Sequence, residues 1–268
     1  MRFIFTVLMC LTICIASVGA QTIIKEKRVG KEPLPTPTLS KLMGDVDTLP
    51  PKAEIQGRFL LALGNDDLED VSRLLRQGAR VNQPFDKTGQ TAIMLAQSLK
   101  MAQLLISNGA TIGIKDTDDG TVLHYAVTRG SALELIPFFV AKGADINARG
   151  WEDETPLHVA ISYFNESASS PAGQVFTGQT DSSSAPSSSR TSMAQQVIEL
   201  MAKYGANLNA SDAYGYTPLM QCTVADNPVL VELLLKLGAD KNIRDKDGQK
   251  AIDVADELGR RYIYQLLE

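Results

Sequence analysis

One hexapeptide recurs along the chain, at Thr91-Ala92-Ile93-Met94-Leu95-Ala96, Thr121-Val122-Leu123-His124-Tyr125-Ala126, Thr155-Pro156-Leu157-His158-Val159-Ala160 and Thr217-Pro218-Leu219-Met220-Gln221-Cys222. A degenerate fifth copy is Lys250-Ala251-Ile252-Asp253-Val254-Ala255. Gly-Ala pairs follow the first four copies, at Gly109, Gly143, Gly205 and Gly238, and one more, at Gly78, precedes them. The intervals between these glycines are 31, 34, 62 and 33 residues, and removing a 28-residue serine-rich stretch turns 62 into 34. A period of this length demands one supersecondary unit repeated in a stack, because a single unit leaves exposed a face that only its neighbours can bury.

Within each unit the residues specify two helices. The threonine stands before the first helix, and where proline follows it the missing N–H falls in the first turn, where no partner exists for it. Leu74-Leu75, Leu104-Leu105 and Leu233-Leu234-Leu235 give the second helix an apolar stripe. The glycine after it suits the left-handed residue that ends a helix. Asn227-Pro228 reads as an N-cap with a first-turn proline, whereas Pro137 falls inside the helix expected over 133–142 and predicts a kink or a late start.

This hexapeptide at a period near 33 resembles the ankyrin-repeat family, over residues 56–268. The resemblance implies an all-α solenoid with short β-turns or hairpins. We count about six repeats. The unit over 53–83 lacks the hexapeptide and reads as an N-terminal cap, and the last unit carries Asp253, Arg260, Arg261 and Glu268 as a polar closing face. End units of a stack must differ in this way.

Two biased segments lie outside the repeat. Residues 21–55 hold five of the twelve prolines, with Lys25, Lys27, Arg28 and Lys31, and read as an extended N-terminal spacer. Residues 165–192 contain ten serines and read as a flexible insertion leaving the fourth repeat near Tyr163 and Phe164. At the N-terminus, Arg2 precedes an uncharged, mostly apolar run from Phe3 to Val18 that is too short to span a bilayer. Residues 1–20, ending Val18-Gly19-Ala20, read as a cleaved export signal. Neither Cys10 nor Cys14 has the small preceding residue of a lipoprotein signal, and both leave with the segment.

The mature chain then has 25 basic and 31 acidic residues and one cysteine, Cys222. Such a chain forms no internal disulfide, has no membrane span after cleavage, and is expected to be a monomer by itself. An exported protein held together by packing alone suits a bacterial periplasm, with full secretion as the alternative. The acceptor-like triplets at Asn165 and Asn209 would matter only in a eukaryotic secretory pathway. The acidic balance offers no field for nucleic acid.

Two histidines and one thiol leave little for catalysis. His124 and His158 occupy the fourth position of the hexapeptide, where the family resemblance implies a structural staple to the backbone of the next repeat. Cys222 replaces the hexapeptide's alanine and reads as a buried, inert thiol. The acidic runs Asp116–Asp119 and Asp245–Asp247 read as turn chemistry, in which Asx side chains bond their own backbone. No cofactor and no metal site are expected.

A binding surface is the stronger signal. The resemblance implies that the turn tips and the exposed flank of the first helices line one concave face. By register this places Thr117, Asp118, Tyr125, Trp151, Glu152, Glu154, Tyr214 and Tyr216 there. For Tyr125, packing against the next helix is an equal alternative. The lone tryptophan and three of the seven tyrosines fall on this face, beside carboxylates that suit a partner with a basic rim. The reading is a non-catalytic periplasmic protein-binding module, with an inhibitor or immunity protein for a peptidoglycan hydrolase such as a DD-endopeptidase as the specific expectation. The alternatives are an accessory protein in periplasmic oxidative-stress defence and a secreted host-interaction factor.

Overall fold

The computed structural model describes residues 51–169 and 186–268. The chain divides into two compact units, Met1–Ile55 and Gln56–Glu268. The expected export signal, with Cys10 and Cys14, lies outside the described residues, as do residues 21–50 of the spacer. The last residues of that spacer are helical rather than extended. Helix α1 starts at Pro51, which sits at the first helical position, with Glu54 favouring the positive end of the helix dipole.

Six helix pairs follow one another among the described residues. α1 (Pro51–Gly64) pairs with α2 (Leu68–Arg76), and a single 3-10 turn, Ala92–Leu95, pairs with α3 (Leu99–Ser107). α4 (Val122–Ala126) pairs with α5 (Ala132–Ala141), and α6 (Pro156–Ser169) with α7 (Pro186–Lys203). α8 (Pro218–Val224) pairs with α9 (Pro228–Lys236), and α10 (Ala251–Glu257) with α11 (Arg261–Leu267). No strand occurs among the described residues, so the connections between pairs are turns.

From the 3-10 turn onward the first members pack on one another in sequence, and from α2 onward so do the second members. The core is the apolar seam between these two layers. It includes Leu63, Ile93, Leu105, Leu123, Leu135, Phe139, Leu157, Ile198, Leu219, Leu234 and Ile263, each essentially inaccessible to water. Truncating any one of these leucines to alanine would cost about 2–5 kcal/mol.

The helix ends follow the sequence. Asn227 Oδ1 accepts from the Leu230 N–H at 3.2 Å with Pro228 behind it, and Thr217 Oγ1 accepts from Met220 at 3.4 Å with Pro218 behind it. The glycines at 78, 109, 143, 205 and 238 all carry positive φ. That region is closed to most side chains, which is why glycine recurs there.

Of the kink or late start expected at Pro137, the late start does not occur: α5 begins at Ala132 and runs through the proline, with Leu135, Ile136 and Phe139 buried around it. The serine-rich insertion is also shorter than 165–192, because α6 runs on to Ser169 and α7 already begins at Pro186. Tyr163 and Phe164 thus lie within a helix, ring against ring at 5.3 Å. Residues 170–185 fall outside the described residues. Asn165 belongs to the packed fold: it is 9% exposed, and its Oδ1 accepts from Asn227 Nδ2 at 2.8 Å.

The repeats are also tied along their Gly-Ala loops. Asn82 Oδ1 accepts from Thr111 N at 2.9 Å while its Nδ2 donates to Gly109 O at 2.8 Å. Asn147 repeats the pair with Asn207 N and Gly205 O at 2.7 and 3.0 Å.

Candidate protein-binding surface

Each hexapeptide is preceded by a tight turn, and in four of the five turns an aspartate holds the loop. Asp86 Oδ1 accepts from Thr88 N, Asp116 Oδ1 from Asp118 and Gly120 N, Asp212 Oδ1 from Tyr214 and Tyr216 N, and Asp245 Oδ1 from Asp247 and Gln249 N, at 2.7–2.9 Å. These are the Asx turns expected at Asp116–Asp119 and Asp245–Asp247. Numbered by the repeats they open, these are the second to sixth turns, and the fourth has Gly150 where the others have aspartate. A Cβ at that position would stand 2.9 Å from His124 Nε2, so only glycine lets the staple histidine reach this turn. Without the aspartate the loop closes as a 3-10 turn over Trp151–Asp153, with Glu152 (φ 52°) and Asp153 (φ 58°) left-handed. Such conformations cost roughly 1–2 kcal/mol each outside glycine.

Neighbouring turns bond to each other through their backbones. Thr117 N donates to Thr88 O at 2.9 Å, Ala213 N to Glu152 O at 2.6 Å, and Lys246 N to Tyr214 O at 3.2 Å. Between the third and fourth turns no such backbone rung exists among the described residues. There Lys115 Nζ reaches Arg149 O at 3.2 Å and Asp119 Oδ1 at 3.1 Å instead.

The residues singled out from the sequence sit on these turns and the adjacent helix flank. Thr117 and Tyr214 are exposed, Tyr214 at 50%, and Asp118, Trp151, Glu152, Glu154 and Tyr216 are half-buried. The fold brings the fourth and fifth turns together: the Tyr214 hydroxyl donates to Glu152 Oε1 at 2.6 Å, and Gln221 Nε2 donates to Glu154 Oε1 at 3.4 Å. Tyr125 points back into its own repeat. Its hydroxyl bonds Asp116 Oδ2, and burial, with that carboxylate, pushes the phenol far above its ordinary range.

Burial comes first in holding Asp212 above the ordinary aspartate value and is opposed by the N–H groups of Tyr214, Tyr216 and Gly215, while the Glu152 carboxylate adds to it. Burial also raises the Tyr216 phenol, with Asp245 the next cause.

The groups that might have carried chemistry are occupied. His124 Nδ1 accepts from Thr121 N at 3.1 Å and its Nε2 lies 3.1 Å from Glu154 O in the next repeat. His158 does the same with Thr155 N and Tyr216 O, both at 3.2 Å. A carbonyl on Nε2 and an N–H on Nδ1 fix the neutral tautomer with its proton on Nε2. Burial lowers both histidines, His158 to about 4. Cys222 is fully buried and its thiol is pushed well up by that burial, so it is a poor nucleophile. No group of His, Cys, Asp and Glu that could hold a metal ion occurs among the described residues. No described helix is long and apolar enough to cross a membrane.

A family model described as "Ankyrin repeats (3 copies)" matches residues 97–169 and 188–267, more than half of the chain. Among curated proteins, the ADP-ribosylation factor GTPase-activating protein AGD4 of Arabidopsis thaliana is 36% identical over 63 residues, 24% of this chain and 8% of that protein. The YahD protein of Escherichia coli (strain K12), named for ankyrin repeats, is 36% identical over 76 residues, 26% of this chain and 38% of its own. The human protein phosphatase 1 regulatory subunit 27 is 33% identical over 61 residues, 23% and 40% of the two chains. The chain thus spans well under half the length of these relatives.

Proposed function

Because this chain belongs to the ankyrin-repeat family, and such repeats form protein-binding modules, we propose that it is a periplasmic inhibitor or immunity protein. Its partner in this reading is a peptidoglycan hydrolase such as a DD-endopeptidase, whose active-site cleft it occludes. The observation that carries the reading is the pair of adjacent turns bearing Trp151 and Tyr214. One ring is half-exposed and held across to the neighbouring turn through Glu152. Rigid aromatic projections lose little side-chain entropy on docking, and such residues commonly contribute about 2 kcal/mol or more when truncated. One relative is named as a regulatory subunit of an enzyme, a precedent for a short repeat array acting on a catalytic partner.

The carboxylates of Asp118, Glu152 and Glu154 beside those rings suit a partner with a cationic rim. An interface of ordinary size would cover about 800 Å² of this edge. The test is stoichiometric inhibition of a purified DD-endopeptidase by the protein. Trp151→Ala with Tyr214→Ala should weaken inhibition by at least about a thousandfold, the sum of two such truncations, and leave the thermal midpoint in place. Full inhibition by that double variant would remove these rings from the binding surface.

A further inference from the structure

The fifth and sixth turns form an acidic patch that the aromatic reading does not use. They lie in backbone contact: a Cβ on Gly215 would fall 2.6 Å from Lys246 N and 2.9 Å from Asp245 Cα. Tyr216 stands at this junction, its hydroxyl within electrostatic reach of Asp245, Asp247, Asp212 and Glu257. Among the described residues, none of these four carboxylates forms an ion pair. The local cations are turned to other partners or to solvent. Arg244 Nη1 donates to Gly248 O at 2.5 Å, Lys250 Nζ to Asn242 Oδ1 at 3.4 Å, and Lys246 is exposed with no carboxylate partner.

A second observation is independent of this charge. Asp245 is 8% exposed, and while its Oδ1 accepts two turn N–H groups, its Oδ2 is buried with no hydrogen-bond partner. The third repeat shows where that oxygen points. There Asp116 Oδ2 receives the hydroxyl of Tyr125, the fifth residue of the hexapeptide. In the sixth repeat that residue is Val254, which has nothing to donate. A buried carboxylate oxygen left without a donor is costly. By that register it faces Val254, and Tyr216 holds the position of Gln90, whose side chain meets the Tyr125 hydroxyl in the third repeat.

We propose that this acidic patch receives a lysine or arginine side chain of the partner, with the cation on the exposed carboxylates of Asp247 and Glu257, next to Asp245 Oδ2, and its methylenes against the Tyr216 ring. The proposal rests on the reading that the turn edge binds a protein, and it extends that surface from the fourth and fifth repeats to the sixth. A donor entering here answers the orphaned oxygen, and the methylenes of a long cationic side chain cover the ring.

The experiment uses the full chain and N-acetyl-tetralysine amide as the probe, with the lysine-acetylated peptide as control, following ring resonances of labelled tyrosines. Tetralysine should move Tyr216 saturably while Tyr204 and Tyr262 stay in place, and the acetylated peptide should move none of them. Asp247→Asn with Glu257→Gln, both on exposed side chains, should weaken the probe about tenfold, as loss of rim charges does. Val254→Tyr, which supplies the hydroxyl present in the third repeat, should weaken it at least as much. An unmoved Tyr216, or equal binding by the Asp247/Glu257 variant, overturns the proposal. Hydrolase inhibition separates the two readings: a probe bound at Tyr216 with an uninhibited peptidase defeats the inhibitor assignment alone, and the converse defeats the acidic patch alone.

Discussion

The second and fourth repeats start from the same hexapeptide and end in different structures. In the fourth, Thr155 and His158 bond each other, His158 reaches the Tyr216 carbonyl, and the helix runs 14 residues. In the second, Met94 stands in the histidine's place, the Thr91 hydroxyl is buried without a partner, and the first helix shrinks to four residues of 3-10 turn. Chain length explains the shrinkage. From Thr91 to the next N-cap, Ser98, is seven residues, against ten from Thr121 to Ser131 or from Thr217 to Asn227. The three missing residues are close to one helical turn, and they are the deficit that makes the first Gly-Ala interval 31 rather than 34.

The threonine and its apolar neighbours define a repeat, while the histidine and the spacing decide how well it is bonded. His158→Ala should therefore be the most damaging change, leaving a threonine N–H and a Tyr216 carbonyl without partners beside a new cavity. About 3–5 kcal/mol lost in chemical denaturation is expected, and a loss below about 1 kcal/mol would refute the staple.

Acid should act on the same group. His158 titrates at about 4 in the folded protein against 6.5 ordinarily, so protonation favours the unfolded chain. The stabilisation is whole above pH 6.5 and fades as pH falls to about 4, by up to about 3 kcal/mol. Stability measured from pH 7 to 4 should follow this slope, and His158→Gln should flatten it.

Gly150→Ala comes next, since the added methyl meets His124 Nε2 at 2.9 Å in the otherwise intact staple. A cost of about 1–2 kcal/mol is expected, accompanied by a shift of the His124 ring resonances. Unchanged resonances would show that the contact is relieved elsewhere. The smallest effect sharpens the contrast from the other side. Met94→His should give the Thr91 hydroxyl its missing partner and raise stability by about 1 kcal/mol, provided that the imidazole also reaches the Gly120 carbonyl, the counterpart of Glu154 and Tyr216. A lower midpoint would mean that the short repeat cannot hold the ring.

Much of this was legible in the residues. The hexapeptide and the Gly-Ala pairs locate the repeats, and Asn227-Pro228 and Thr217-Pro218 mark helix starts where the structure has them. The 31-residue interval was visible too, but not which element absorbs the deficit, since that depends on packing of Ile93 and Met94 against neighbours. The helices entering the serine-rich stretch were hidden by composition: serine is a poor helix former that neighbouring packing can override. Tyr125 illustrates the limit for the surface. Its register position is shared with Val159 and Gln221, and it is the fold that turns its hydroxyl back to Asp116. The bridging asparagines have a spacing of their own, an asparagine four residues after Gly78, Gly143 and Gly205.

The missing rung between the third and fourth turns divides the edge into two blocks, the second and third turns on one side and the fourth to sixth on the other. Across that seam the turn tips are joined by the side chain of Lys115, with the His124 staple to Glu154 beneath them. A flexible ammonium tether resists parting less than a backbone hydrogen bond does and yields to salt. Breathing of the stack should therefore begin at this joint, exposing the flank of Trp151 first and giving an approaching partner a crevice to widen rather than a finished mould.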